Sequence, residues 1–330
     1  KYQDERFDTA VFGLFQVKFG ETKSISRRSI SEYIRNGSIV LNGNKTKPSV
    51  KVSFSDTVTY DEGILSSQED ALLPSGDIGI EVIFENEHLI VIDKPAGILM
   101  HPTSGKRENT VANWIIAQYP ELLSIGENSL RPGIVHRLDF ETSGIVLIAK
   151  TEKSYHELKR LFQERMVRKQ YVALAYGHID PLQGKIDSSL GRRSGDLKRH
   201  AINPQEESGT LSTNIRPALT EYQVIARYQE YDLLVLSPKT GRTHQIRVHL
   251  SSLGHPIVGD ALYSMKSFRR QNIRAHRQLL HAFHIEFDLF GEKYSFFSSL
   301  PKDFADILGD IDETKVAGYD DEALKSLFSV

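Results

Sequence analysis

Short apolar runs separated by polar turns dominate the chain from residue 77 onward. The runs are rich in β-branched and aromatic residues, which favours strands over helices. IEVIFENEHLIVIDKP adds a hairpin with an Asn-Glu turn. The clearest single strands are SGIVLIAK, RKQYVALAYG, TEYQVIARY, YDLLVLSP and LLHAFHIEFDL.

Helical periodicity is rarer in this region and is confined to TVANWIIAQY, EKSYHELKRLFQER and HQIRVHLSSLG. Strands therefore follow one another with few helices between them. This order predicts an α+β fold with a long mixed, mainly antiparallel sheet that is flanked by helices and loops.

The first 62 residues have a different pattern. ERFDTAVFGLF and SRRSISEYIRNG have helical spacing, and SIVLNGNKTK turns at Asn42-Gly43, a hairpin signal. We predict a small domain at 1–62, a linker at 63–76, a main domain at 77–305 and an acidic tail at 306–330.

Composition narrows the classes of function. Apolar residues make up 39% of the 330 residues, and the absence of cysteine excludes disulfides and thiol catalysis. No run approaches the roughly 20 apolar residues of a membrane span. With no signal pattern at the N-terminus, we expect a cytoplasmic protein that does not enter a membrane.

Charge is unevenly distributed although the formal net charge is only −2. Residues 1–60 carry ten Lys or Arg against six acids, and residues 264–277 carry five cations and no acid. Residues 301–330 carry three Lys against eight acids. The pattern indicates basic patches on the body of the protein, masked in the total by the acidic tail.

Two familiar sites are excluded by spacing. PTSGKRENT lacks the first glycine and the Ser or Thr of a phosphate-binding loop. His276, His281 and His284 are close in sequence, but 281 and 284 point to opposite faces of a strand. We expect neither a metal nor a nucleotide cofactor.

Four stretches combine ionisable side chains with glycine turns: DKPAGILMHP, HRLDFETSG, RKQYVAL and GRTHQIRVHLSSLGHPIVGD. Each has an ordinary structural explanation. Asp139 could cap a turn or pair with Arg137, Tyr171 fits a half-buried strand, and Arg247 could be a surface charge on a helix.

Together these stretches resemble a known family. HRLDFETSG matches the H-R-L-D-x-x-T-S-G signature of the RluA family of RNA pseudouridine synthases, with Phe140 and Glu141 at the variable positions. DKPAGILMHP and GRTHQIRVHLSSLGHPIVGD match two further motifs of the family, and the three motifs stand in the family's order. The similarity covers about residues 1–300. The resemblance implies isomerisation of uridine to pseudouridine in RNA, without a cofactor.

The resemblance also implies roles for individual residues. Asp139 is the essential aspartate, Arg247 pairs with it and orients it, and Tyr171 stacks on the uracil and accepts the C5 proton. Arg137 enters the RNA stack where the target base has left. Whether Asp139 attacks C1′, attacks C6 or removes the 2′ proton is left open by the sequence.

The N-terminal module resembles the S4 type of RNA-binding domain through Arg6-Phe7-Asp8, YIRNGSIVLNGNKTKPSVKV and FSDTV, although SDT departs from the usual Gly-Asp. An S4 domain implies the branch that acts mainly on large-subunit ribosomal RNA. We expect a monomer that binds 23S-type RNA or its precursor particle. The RNA-docking residues predicted by charge and resemblance are Arg27, Arg28, Arg35, Arg269 and Arg270.

Three alternatives remain at this point: modification of transfer RNA, a non-catalytic RNA-binding or ribosome-assembly factor, and a retaining glycosidase. The glycosidase would need a second acid beside Asp139, and Glu141 is the nearest candidate in sequence.

Overall fold

The computed structural model describes residues 3–19, 27–65, 72–76, 78–103, 105–192, 199–202, 215–264 and 275–311. The chain divides into two compact units. The first comprises Lys1–Leu73 with Glu127–Leu130, and the second comprises Pro74–Gly126 with Arg131–Val330. No helix within the described ranges is long and apolar enough to cross a membrane.

The N-terminal unit packs two helices on two short paired strands. The predicted turn at Asn42-Gly43 is present, with an isolated bridge from Leu41 to Asn44, but the strand before it pairs with residues 58–60 and not with the segment that follows the turn. Helix α1 spans Phe7–Phe19 and helix α2 spans Arg27–Asn36. Strand β1 (Ile39–Leu41) pairs antiparallel with β2 (Val58–Tyr60). The core between them is apolar, with Phe7, Val11, Phe15, Ile30, Ile34 and Ile39 buried.

The second unit is built on a large mixed sheet. Within the described residues it has nine strands: β3 (Glu81–Glu85), β4 (Leu89–Lys94), β5 (Ser143–Ala149), β6 (Arg168–Tyr176), β7 (Gln183–Asp187), β10 (Leu219–Arg227), β11 (Tyr231–Pro238), β12 (Leu280–Leu289) and β13 (Glu292–Phe297). They run in the order β3-β4-β5-β12-β6-β11-β10-β7, with β13 paired to β12. All pairings are antiparallel except β5 with β12, which is parallel. A separate two-stranded sheet pairs β8 (Ser189–Arg192) with β9 (Arg199–Ile202).

Four helices accompany this sheet: α3 (Val111–Gln118), α4 (Glu152–Gln163), α5 (Gln245–Ser252) and α6 (Lys302–Asp310). Thr110 and Thr151 cap α3 and α4 by accepting hydrogen bonds from backbone N–H groups of the first turn. Both faces of the central strands are covered, since Leu89 and Val91 pack with the α4 side chains while Ile90 and Ile92 pack with those of α3. This two-sided burial explains the continuous apolar runs.

The predicted fold class is confirmed. The predicted strands and helices are present, but sequence patterning did not predict β7, β8, β9, β13 or α6. Helix α6 includes residues 306–310, which charge alone had assigned to the acidic tail, and it buries Phe304 and Leu308. The tail residues 312–330 lie outside the described part of the chain.

Candidate active site

A cleft of about 520 Å³ opens beside the middle of the large sheet. Its walls come from the loop before β5, the end of α4, the start of β6 and the turn between β11 and α5. Three of the residues singled out in the sequence, Asp139, Tyr171 and Arg247, line it together with Arg137. The fold therefore brings together side chains that are up to 110 positions apart in the chain.

Asp139 and Arg247 form the ion pair that the resemblance implies. Arg247 Nη1 donates to Asp139 Oδ2 at 3.1 Å. The same guanidinium donates from Nε and Nη2 to the two oxygens of Asp260, at 2.7 and 3.0 Å. Asp260 and Arg247 are buried, whereas the side chain of Asp139 keeps 16% of its surface exposed. The Asp139 carboxylate is thus open to a ligand, while Arg247 is held in position by the buried Asp260.

Backbone contacts fix the loop that carries Asp139. His136 Nε2 accepts the N–H of Leu147 in β5 at 2.8 Å, so this ring nitrogen is unprotonated. Burial lowers the pKa of His136 to about 3, which keeps the imidazole neutral. The Thr142 N–H donates to the Asp139 carbonyl at 3.1 Å and closes the turn.

The two variable positions of the signature contribute through their carbonyls. Phe140 O accepts the Gly97 N–H at 2.8 Å and lies 3.4 Å from Lys94 Nζ. Lys94 is fully buried and also donates to the Pro95 and Ile98 carbonyls. Glu141 O accepts from Arg277 Nη1 at 3.2 Å. These bonds use only the main chain, so they do not depend on which side chains occupy the two positions.

Tyr171 lies on β6, inside the cleft. Desolvation and then the negative charge of Asp139 raise the pKa of Tyr171 above its usual value. The hydroxyl therefore stays protonated at neutral pH. A neutral phenol is suited to stacking on a base. To act as a base it must first lose its own hydroxyl proton.

The cleft is strongly cationic. Among the described residues that line it, Asp139 has the one carboxylate, and Glu141 is not part of the lining. A retaining glycosidase needs a second carboxyl group about 5 Å from the first, so this arrangement disfavours that alternative. The cations that line the cleft are Arg137, Lys159, Arg165, Lys169, Lys239, Arg242 and Arg247.

Comparison with known proteins agrees with this site. The family model for RNA pseudouridylate synthase matches residues 88–252, which hold Asp139, Tyr171 and Arg247. A ribosomal large subunit pseudouridine synthase D from Borreliella burgdorferi is 34% identical over 91% of this chain and 87% of its own length. The chain belongs to the RNA pseudouridine synthase family.

Further relatives are consistent with this assignment. An uncharacterized RNA pseudouridine synthase of Aquifex aeolicus is 38% identical over 73% of each chain. The solved structure of human RNA pseudouridylate synthase domain containing 1 superposes with a TM-score of 0.60 at 26% identity, covering 78% of this chain and 98% of that one. The predicted family, fold and enzyme class are confirmed.

The predicted RNA-docking residues of the synthase have different surroundings. Arg35 is exposed near the end of α2, whereas Arg27 donates to Asp8 at 3.2 Å, with Arg6 on the same carboxylate. The side chain of Arg28 and all of Arg269 and Arg270 lie outside the described residues. Their contact with RNA stays a prediction.

One cation of the basic 264–277 stretch does not belong to a docking surface. Arg277 is buried, pairs with Asp303 on α6 and holds the Glu141 carbonyl. Charge counting treated it as part of a surface patch, and its burial corrects that assignment.

Sequence reasoning missed other groups that support the site of the synthase. Asp260 and Lys94 stand inside recognised motifs, but neither was singled out. The signal was available, since each is a charged residue inside an otherwise apolar segment and must be paired if the segment is buried. Across the described ranges, no cluster of three His, Cys, Asp or Glu residues could hold a metal ion.

Proposed function

We propose that this synthase converts specific uridines of large-subunit ribosomal RNA to pseudouridine, and that Asp139 starts the reaction. The observation that carries the proposal is the pairing of Asp139 with Arg247 in a cleft that seven lysine and arginine side chains line, Arg247 among them. RNA is a polyanion, and its phosphates are attracted to such a cationic cleft. One base must leave the RNA stack to reach Asp139.

The chemistry balances without any second reactant. The N1–C1′ bond of uridine breaks, a C5–C1′ bond forms, and the proton on C5 is replaced by one on N1. Product and substrate are isomers, so no electron or group donor is needed. A carboxylate beside the sugar is the kind of group that can begin breakage of an N-glycosidic bond, acting as a nucleophile or a base.

The other residues of the cleft lower the cost of reaching that bond. Extruding a uridine from a stack costs a few kcal/mol, and stacking on an aromatic ring returns about 1–3 kcal/mol per base. We assign the stacking platform to Tyr171, which lies in the same cleft as Asp139. We assign the wedge that fills the vacated position to Arg137, the exposed residue two positions before Asp139.

Ribosomal RNA is proposed as the substrate on two grounds. Relatives that match about nine tenths of this chain are named large subunit pseudouridine synthases. The N-terminal unit has two helices packed on two paired strands, with cations along α2, and this arrangement supports an S4-type domain. We propose that it docks RNA in the cytoplasm as part of a monomeric enzyme.

The test uses ribosomal RNA from cells that lack this protein. The wild-type chain and Asp139→Asn are incubated with that RNA, and pseudouridine is mapped by primer extension after carbodiimide treatment. We expect new pseudouridines with the wild type and none with the variant, while the variant still binds RNA in a filter assay. Modification by Asp139→Asn would refute the role of Asp139.

The same assay separates the alternatives. Transfer RNA from the same cells serves as a second substrate, and its preferential modification would replace ribosomal RNA as the target. Binding of wild-type protein without modification of either RNA would favour a ribosome-assembly factor.

A further inference from the structure

His244 occupies a costly backbone conformation at the edge of the cleft. It immediately precedes α5 and has φ 59° and ψ 20°, in the left-handed region. Residues other than glycine seldom adopt this conformation, although histidine does so more often than most, and those that do cluster at functional sites. The side chain of His244 does not cap the helix that follows. Its ring is instead directed towards two other groups.

The two ring nitrogens of His244 face different partners. Nδ1 is 2.9 Å from the hydroxyl of Tyr263, and Nε2 is 4.0 Å from Asp139 Oδ2. If Tyr263 donates its proton to Nδ1, the imidazole proton is on Nε2 and points at the carboxylate. The opposite tautomer would set a nitrogen lone pair against the negative charge of Asp139. The arrangement therefore favours the Nε2–H form.

Tyr263 is itself held in place by the group that holds Arg247. Its backbone N–H donates to Asp260 Oδ1 at 2.9 Å, and its carbonyl accepts from Ser251 Oγ at 2.9 Å. The guanidinium of Arg247 lies over the Tyr263 ring, 5.1 Å from its centroid. Asp260 thus supports both Arg247 and the Tyr263–His244 pair. The contacts thus lead from Asp139 Oδ2 to Arg247, from Arg247 to Asp260 and on to Tyr263. From Tyr263 they lead to His244, whose Nε2 faces Asp139 Oδ2 again.

We propose that His244, held by Tyr263, is a positioning residue that directs Asp139 during the reaction; this inference rests on the proposed function of Asp139. Arg247 Nη1 and His244 Nε2 both lie near the same oxygen, Oδ2, at 3.1 and 4.0 Å. A carboxylate restrained in this way keeps its other oxygen, Oδ1, turned to the sugar. The Nε2 to Oδ2 distance is about 1 Å beyond a hydrogen bond. Such contacts in free enzymes are often long and shorten when substrate is bound.

Two isosteric substitutions separate this role from a structural one. The amide nitrogen of glutamine can take the place of Nε2, so His244→Gln keeps a donor for Asp139. The shorter asparagine keeps a polar group only at the Nδ1 position, towards Tyr263. Asparagine is also the better residue for the left-handed backbone. A purely structural His244 would be replaced best by asparagine, and a positioning His244 by glutamine.

The measurement is kcat and KM for pseudouridine formation on the complete chain. We expect His244→Asn to lower kcat by about 10- to 100-fold, the effect of losing a hydrogen bond to a charged group. KM for RNA should stay within about twofold, and His244→Gln should retain a kcat within a few fold of wild type. Higher activity in His244→Asn than in His244→Gln, or a change confined to KM, would overturn the proposal.

Tyr263→Phe tests whether the tyrosine acts through the histidine. The variant keeps the ring beneath Arg247 and removes only the hydroxyl. We expect it to lower kcat roughly tenfold in the wild-type background and to have no further effect in His244→Asn. Equal effects in both backgrounds would mean that Tyr263 acts elsewhere. Tyr119→Phe is the matched control, because that hydroxyl donates to Glu85 outside the cleft.

Failure of this inference is distinguishable from failure of the proposed function. If Asp139→Asn abolishes modification while both His244 variants and Tyr263→Phe match the wild type, His244 has no positioning role and Asp139 keeps its own. If Asp139→Asn remains active, both proposals fail together.

Discussion

Asp260 binds Arg247 through two hydrogen bonds, at 2.7 and 3.0 Å, in a part of the site that is buried. The guanidinium therefore has a fixed position that does not depend on Asp139. Only Nη1 is directed to the Asp139 carboxylate, at 3.1 Å. Asp139 can exchange charge or form a bond while its partner stays in place, because the buried pair does not have to rearrange.

Replacing Asp260 should cost both stability and activity. In Asp260→Asn, Arg247 keeps its charge but loses its buried counterion, and breaking such a pair costs about 3–5 kcal/mol. The loss is measured as the free energy of unfolding in urea, alongside single-turnover modification. The control, Asp306→Asn, breaks an exposed pair with Lys302 on α6 and should change stability by less than about 1 kcal/mol. Equal stability of the two variants would contradict the importance of the buried pair.

Cations around the cleft should contribute to the salt dependence of RNA binding. Each phosphate contact adds about 0.7–0.9 to the slope of log K against log salt concentration. We expect Arg165→Gln at the cleft and Arg35→Gln on α2 each to reduce that slope by about this amount. Titrations at several salt concentrations measure it. Lys302→Gln, which removes a cation paired with Asp306 away from the cleft, should leave the slope unchanged. An unaltered slope for Arg35→Gln would remove α2 from the docking surface.

Gly144 allows β5 to approach β12. Its φ is +115°, and a Cβ at this position would lie 2.2 Å from the Ala282 carbonyl oxygen. Gly144→Ala should therefore destabilise the protein by at least about 3 kcal/mol, because both strain and a backbone clash are introduced. Thermal or urea unfolding gives the value. Gly309→Ala, in α6 with open space around it, should change stability slightly and in the favourable direction.

Acid should destabilise the fold through His281. This residue is buried, and its neutral ring interacts with Ser143 Oγ at 3.0 Å and the Ser298 carbonyl at 3.2 Å. Burial lowers the pKa of His281 to about 4, against about 6.5 in the unfolded chain. As pH falls below 6.5 the unfolded state binds the proton first, so stability decreases until about pH 4. Between pH 6.5 and 5 the loss is about 2 kcal/mol.

Urea unfolding at these two pH values tests the assignment. The free energy of unfolding of His281→Gln should fall by about 2 kcal/mol less than that of the wild type between pH 6.5 and 5. This holds whatever the stability of the variant is at pH 6.5. His156→Gln removes an exposed histidine from α4, and its free energy of unfolding should fall with pH by the same amount as that of the wild type. If His281→Gln and the wild type lose the same free energy, another group is responsible.

The central strands of the second unit were predictable because burial on both faces leaves continuous apolar runs, as in β5. Asp139, Tyr171 and Arg247 were predictable from motif resemblance. The partners that support the site were not, because pairing across the fold leaves no local pattern: the sequence indicates that a buried Asp260 needs a partner, but not that the partner is Arg247. Helix α6 was missed because its acidic residues outweighed the four-residue spacing of Phe304 and Leu308, which did indicate a buried face.

The parallel pairing of β5 with β12 covers two residue pairs, His281 with Ser143 and Ala282 with Gly144. Asp139 belongs to the loop before β5, on one side of this joint, while Tyr171 and Arg247 belong to elements on the other. Gln278 and Arg277 reach across it to Thr142 and the Glu141 carbonyl. A small sliding motion at this joint would separate the carboxylate from the guanidinium while both halves of the sheet remain folded. The distance from Asp139 to Arg247 therefore depends on the alignment of these two residue pairs.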